Sequence, residues 1–195
     1  LIGTFFLVLT IGLVSGDLAP LAIGAALMAM IYAGGHISGA HYNPAVTVAA
    51  FVRGRCAKPD MLPYIMAQLF GASLAALAAS LIKGDGGSPD DFNIGKTFLA
   101  EFLFTFALAY VILNVATAKS TAGNSNYGLA IAMTVVAGAY AVGKYSGGAF
   151  NPAVAVGACM MKKLMWQNLW VYLLANTAAG AAAGMVFKKL NPDDK

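Results

Sequence analysis

Hydrophobic positions along this chain fall into long unbroken runs, without the strict alternation of a half-buried strand or the narrow stripe of a surface helix. Runs at residues 21–35, 60–82, 96–117, 127–143 and 166–187 each read as a membrane-spanning helix, and residues 1–14 as a further span whose beginning is missing. At about 1.5 Å per residue, that first run covers only about 21 Å of a hydrocarbon core about 30 Å thick. Two other apolar stretches, 43–52 and 151–161, reach only about half a span, and each begins at Asn-Pro-Ala after a glycine-containing run. The runs before them, 37–42 and 144–150, read as extended backbone. Residues 118–126 form a polar link, 84–95 the longest loop, and 188–195 a charged tail.

The two short stretches are copies of one another. Ser38-Gly39-Ala40-His41-Tyr42-Asn43-Pro44-Ala45-Val46 returns as Ser146-Gly147-Gly148-Ala149-Phe150-Asn151-Pro152-Ala153-Val154, and Gly3-Thr4-Phe5-Phe6-Leu7 aligns with Phe104-Thr105-Phe106-Ala107-Leu108. Alone, Asn-Pro-Ala marks only a helix start, since Asn caps, Pro suits the first helical position and Ala propagates. Repeated at corresponding places in two halves, it marks a pair of interrupted segments of the kind that build a midplane site. The chain reads as one domain with repeats over 1–83 and 96–187. Each half holds three spans, an odd number, so the second enters the membrane from the opposite side. The half-helices then dip in from opposite faces and bring their Asn-Pro-Ala ends together.

Composition agrees with a multi-pass integral membrane protein: 59% of residues are hydrophobic and only 10% charged, with a mean hydropathy of +0.73. Its 22 glycines suit close helix packing in lipid. The net charge of +4 is modest and its basic residues are scattered, which gives a nucleic-acid partner no support. Arg53, Arg55, Lys58, Lys119, Lys188, Lys189 and Lys195 fall on the face of the termini. Lys83, Lys96, Lys144, Lys162 and Lys163 fall on the other, with Asp17, Asp85, Asp90 and Asp91. The positive-inside rule therefore predicts cytoplasmic termini. Cys56 and Cys159 sit in segments approaching from opposite faces, so neither a disulfide nor a metal site is expected. No cofactor motif or nucleophile–base pair is present in the sequence, and an enzyme is not expected.

Helix starts carry about half a unit of positive charge on their unpaired amides. Two of them meeting in low dielectric would resist a cation while tolerating a neutral dipole. Each Asn side chain can accept from its own helix through oxygen and leave its NH₂ to donate into a pore. The runs before each motif would supply carbonyl acceptors, since irregular backbone at membrane depth is tolerated beside water or protein.

These motifs resemble the aquaporin, or major intrinsic protein, family over essentially the whole chain. The resemblance is carried by residues 36–47, Ala67-Gln68 with Gly71-Ala72, Ala100-Glu101-Phe102, and residues 147–153. It implies an all-α, right-handed bundle of six transmembrane helices plus two re-entrant half-helices, a pore in each subunit, a homotetramer, and water and small neutral solutes as cargo. It also implies pore motifs at Asn43, Pro44, Ala45, Asn151, Pro152 and Ala153, with His41, Tyr42 and Gly147 lining the pore. Glu101 is implied to hold loop amides, a structural reading favoured over a proton relay, and Gln68 a similar support. His41 is a candidate for pH control, while His36 reads as a cap on the second span.

One departure bears on selectivity. Water-selective members place Arg after the second motif, where this chain has Val154. Counting from the motifs puts the outer filter at Ile23, Ala139, Gly148 and Val154, with Gly138 replacing Ala139 if the spacing slips by one. That filter is apolar and lacks a fixed cation. Val here resembles the plant tonoplast intrinsic proteins, which implies passage of urea, ammonia or hydrogen peroxide besides water. A glycerol or metalloid-acid facilitator of the same family is the alternative, although glycerol members usually carry Arg-Asp where this chain has Val154-Ala155. A coupled transporter would need an ion site that one interior acid does not provide, and a junctional protein would need more adhesive surface than these loops offer.

Overall fold

The computed structural model describes residues 1–87 and 92–194; Asp90, Asp91 and Lys195 of the charge argument lie outside them. Among the described residues eight α-helices follow one another: α1 (Ile2–Leu13), α2 (Ala19–Ser38), α3 (Pro44–Arg53), α4 (Lys58–Lys83), α5 (Ile94–Ile112), α6 (Tyr127–Ser146), α7 (Pro152–Met160) and α8 (Leu169–Leu190). A π-helical turn, Leu113–Thr117, extends α5. Short 3₁₀ turns cover Lys119–Thr121 and Trp166–Asn168. Five helical segments are long and apolar enough to cross a membrane, while α1 and α3 are shorter apolar helices.

The packing repeats itself. In the first half α1 lies against α2 and α4, and in the second α5 lies against α6 and α8. Half-helix α3 packs on α8 and half-helix α7 on α4, so each half seats the other's short helix. α2 meets α6, and α3 meets α7, across the junction of the halves. Exchanging the halves therefore maps this contact pattern onto itself.

Sterics explain why the seats are made of small residues. A Cβ at Gly180 of α8 would strike the carbonyl oxygen of Ala45 at the start of α3. One at Gly184 would lie 2.7 Å from Val52 Cβ and 2.9 Å from Ala49 O. On the other side, Gly157 of α7 faces Val8 of α1, whose Cγ1 lies 2.7 Å from the Cβ position. Close backbone approach gives short helices enough dispersion contact to stay docked where lipid supplies no hydrophobic drive.

Two expectations are corrected. α2 runs on to Ser38 and α6 to Ser146, each stopped by a left-handed glycine, Gly39 at φ 76° and Gly147 at φ 82°. The irregular segments shrink to residues 39–42 and 147–150. They are not extended: φ is positive at Gly39, Ala40 and Tyr42, and at Gly147, Gly148 and Phe150. Nor does His36 cap α2. It is exposed in the last turn, and the Gly39 amide closes the helix on Gly35 O at 2.9 Å.

Arg53 reads from the sequence as part of a basic exit, but its side chain is 2% exposed. It donates to Thr117 Oγ1 (3.2 Å), Thr117 O (3.2 Å), Asp194 O (2.9 Å) and Asp194 Oδ1 (2.7 Å), and lies over the Phe187 ring. The backbone N–H of Lys119 and the Arg53 guanidinium together hold the Asp194 carboxyl below the usual carboxylate range.

Two outcomes are expected in detergent. Gly180→Leu, which overpacks the α3 seat, costs roughly 1–3 kcal/mol or more and lowers the melting midpoint, whereas Gly143→Ala, in open space, does not. Asp194→Asn lowers the midpoint at neutral pH. Because the folded pKa is depressed, that stabilisation is present above the unfolded value and lost as pH falls through the folded one. The difference between variant and wild type should therefore vanish in acid, as read by thermal unfolding against pH.

Candidate functional site

The two half-helices begin with the same cap. Asn43 Oδ1 accepts from Ala45 N at 2.9 Å; Asn151 Oδ1 accepts from Ala153 N at 2.9 Å and Val154 N at 3.4 Å. Pro44 and Pro152 hold the first helical positions, where a missing N–H costs nothing. The amide nitrogens do something the sequence did not suggest. Asn43 Nδ2 donates to Phe150 O at 2.8 Å, and Asn151 Nδ2 donates to Tyr42 O at 2.9 Å. Each asparagine is thus tied to the residue just before the other. The expected free NH₂ keeps one N–H of its two.

Those carbonyls are aimed by strained backbone. Tyr42 sits at φ 49° and Phe150 at φ 47°, where a bulky residue costs about 1–3 kcal/mol. Packing holds both. The Tyr42 ring fills the space a side chain at Gly3 or Gly34 would need, and its hydroxyl donates to Met30 O at 2.9 Å. Phe150 lies against Phe104, centroids 5.6 Å apart, over Gly138.

Supports beneath the two segments differ. Glu101, fully buried, accepts from Ala149 N (2.9 Å) and Ser146 Oγ (2.8 Å) on Oε1 and from Phe150 N (2.7 Å) on Oε2. Oriented to satisfy its neighbours, the Asn176 amide donates to Glu101 Oε2 at 3.1 Å and Thr105 Oγ1 at 2.9 Å, and accepts from Asn151 N at 3.0 Å. A tyrosine hydroxyl ties the preceding helix end in both halves: Tyr64 accepts from His41 N at 3.2 Å and donates to Ser38 O at 2.7 Å, and Tyr172 donates to Ser146 O at 2.6 Å. Gln68 Nε2 donates to Thr47 Oγ1 at 3.0 Å, and that hydroxyl also meets His41 Nδ1 at 3.2 Å and Asn43 O at 3.2 Å. The His41 ring stacks on Tyr64.

A cavity of about 230 Å³ runs past this junction. Asn43, Asn151, His41, Tyr42 and Gly147 line it, as do Ile23, Ala139, Gly148 and Val154. Most of the remaining lining is an aliphatic wall from α1, α2, α5 and α6: Leu7, Leu27, Ile31, Leu108, Ile112, Ile131 and Val135. Pro44, Ala45, Pro152 and Ala153 are buried at the junction and do not line it; Glu101 and Gln68 stand behind it. Gly138 belongs to the Phe104–Phe150 packing rather than the lining, which goes to Ala139.

Sequence reasoning missed the aliphatic wall and one charged lining residue. Lys163, from the turn after α7, reaches the Ile23 end of this cavity. Its only trace in the sequence is the Lys162-Lys163 pair at the end of a half-helix, which reads as a topology signal. A larger cavity of about 580 Å³ shares Ile31, Ala40, His41, Val46, Ile112 and Ile131 with the central one and reaches Arg55, Lys119 and Asn124. At the other end a cavity of about 200 Å³ shares Gly147 and Leu164 with it. Three adjoining cavities therefore follow one another past the paired half-helix starts.

The fold and this junction define a multi-pass integral membrane protein whose two re-entrant half-helices abut at their N-terminal ends. The chain belongs to the major intrinsic protein family: that family's model matches residues 13–187, and its members are channels, not enzymes. It is 36% identical over 177 residues to the probable aquaporin NIP4-2 of Arabidopsis thaliana, covering 88% of this chain and 62% of the relative. It is 38% identical over 168 residues to aquaporin NIP1-4 of Oryza sativa subsp. japonica, covering 84% and 60%. The chain thus spans less than two thirds of the length of these relatives. In fold it is similar to the X-ray structure of the aquaglyceroporin from Plasmodium falciparum, with a TM-score of 0.80 at 21% identity, covering 96% of this chain and 92% of that one.

The Glu101 carboxylate faces only donors, so Glu101→Gln turns an NH₂ toward one of them. Each hydrogen bond to a charged group contributes about 1.5–3 kcal/mol. Glu101→Gln should lower the melting midpoint measurably, and Tyr64→Phe in the first half should lower it less.

Proposed function

We propose that the protein is a passive transmembrane channel for water and small neutral solutes such as urea, ammonia or hydrogen peroxide. The observation that carries this reading is the run of adjoining cavities past two half-helix starts tied end to end. The amides at those starts project positive potential onto the junction where the two half-helices meet, the device by which aquaporin-type pores exclude protons and cations. The second N–H of Asn43 and Asn151 and the carbonyls of residues 39–42 and 147–150 give a neutral file its hydrogen bonds. The aliphatic wall gives it no reason to stop.

Selectivity in this reading rests on Ile23, Ala139, Gly148 and Val154. The small Ala and Gly and the uncharged Val leave room for solutes broader than water. Glu101 and Gln68 hold the half-helix starts and carry no proton. The repeats over residues 1–83 and 96–187 insert with opposite sense, the termini face the cytoplasm, and the subunits assemble as a homotetramer with one pore each.

A second reading, glycerol or a metalloid acid as main cargo, is favoured by one feature. A cavity lined both by the irregular segments before the two motifs and by aliphatic side chains suits a molecule with hydroxyls on one side and carbon on the other.

Stopped-flow shrinkage and swelling of proteoliposomes separates these readings. The wild type should pass water and urea, and Val154→Arg should cut urea flux at least tenfold while retaining water. Passage of water alone, with urea, ammonia and peroxide all excluded, would overturn the broad-solute reading. Glycerol flux well above urea flux would select the second one.

A further inference from the structure

The turn between α7 and α8 separates two adjacent lysines. Lys162 sits in the left-handed region at φ 57° and is exposed, its ammonium 2.7 Å from Asp85 Oδ2. Lys163 goes the other way and is half-buried. Its backbone is pinned where α7 ends, with Lys163 N donating to Ala158 O at 2.8 Å, and Gly86 N donates to the neighbouring Met161 O at 2.9 Å. The Lys163 Nζ donates to Ile11 O at 2.8 Å.

Ile11 lies in the last turn of α1, where carbonyls have no partner within the helix and carry partial negative charge. This anchor fixes the ammonium without neutralising it. Among the described residues its hydrogen-bond partner is an uncharged carbonyl, which leaves two of its three N–H donors, while burial and then the nearby Lys83 ammonium lower its pKa from the ordinary lysine value. Lys163 also lines the same end of the central cavity as Ile23, Ala139, Gly148 and Val154.

We infer that Lys163 is the fixed cation of this channel's outer mouth, reached from the α7–α8 turn and standing in for the charge that Val154 does not supply. The inference rests on the channel reading above and deepens it. A cation entering from that end meets a positive group in a partly desolvated wall before it reaches the half-helix starts, where screening by solvent is weakest. A neutral solute meets a hydrogen-bond donor instead. Because the Lys side chain enters from a turn rather than from the second motif, it leaves the space beside Val154 open. Charge rejection and a broad opening can then coexist.

Urea and guanidinium test this directly, since they share a planar shape and differ by one charge. In proteoliposomes, guanidinium influx is measured relative to urea and water flux. Lys163→Met should raise the guanidinium-to-urea ratio tenfold or more over the wild type. Lys163→Gln, which keeps a donor and loses the charge, should do the same if the Met variant fails to insert. Lys163→Arg should keep the wild-type ratio. Lys83→Met is the control for helix capping, because Lys83 Nζ donates to Leu13 O at 2.9 Å at the same end of α1 without lining the cavity. An unchanged ratio in the neutral Lys163 variants, with urea flux present, overturns the inference. So does an equal rise in Lys83→Met. Absence of both water and urea flux in the wild type is a different failure, that of the channel reading itself.

Discussion

Everything at the centre of this protein depends on two reciprocal hydrogen bonds, Asn43 Nδ2 to Phe150 O and Asn151 Nδ2 to Tyr42 O. Each asparagine caps its own half-helix through oxygen and fastens the opposing half through nitrogen. No other uncharged side chain does both as compactly: Asp and Ser can cap, but an aspartate has no N–H to give, and Ser has a single short hydroxyl. Neither half closes its centre alone, and this dependence accounts for the repetition of the motif.

The strain at Tyr42 and Phe150 follows from that constraint. A carbonyl that must face the opposite half cannot belong to a regular helix, so the chain leaves α2 and α6 through left-handed turns and re-enters at α3 and α7. Rings then hold what the backbone would not hold, each using glycine positions on a neighbouring helix as its socket. The glycines of α8 serve the same end by letting that helix approach the backbone of Ala45 at the start of α3. Small residues, strained turns and paired asparagines form one mechanical system.

Much of this was legible in the sequence. The duplicated motif and the run lengths predict eight helices with short ones after each Asn-Pro-Ala, and the described residues form eight, α3 and α7 among the short ones. Counting from the two asparagines reaches Ile23, Ala139, Gly148 and Val154, and all four line one cavity. For Ile23, Ala139 and Val154 spacing works because each stands on a regular helix, which converts residue number into height and face. It fails where the chain is irregular. The left-handed turns at residues 39–42 and 147–150 look like any glycine-rich linker. The destination of Lys163 is decided by one positive φ at Lys162, and the burial of Arg53 by a contact with Asp194, far along the chain. Such long-range partners leave no local pattern to read.

The cross-tied centre has a consequence for motion. With each half-helix start bonded to the strained segment of the other half, and glycine sockets filled by rings, the middle has one well-packed arrangement and little freedom to adopt a second. Widening it would break both ties at once and leave four polar groups without their partners. Any change of shape in such a fold therefore belongs at the two ends of the cavities. There the chain relaxes into π and 3₁₀ turns at Leu113–Thr117 and Lys119–Thr121, and a single aspartate in the tail, Asp194, holds both Arg53 and the amide of Lys119.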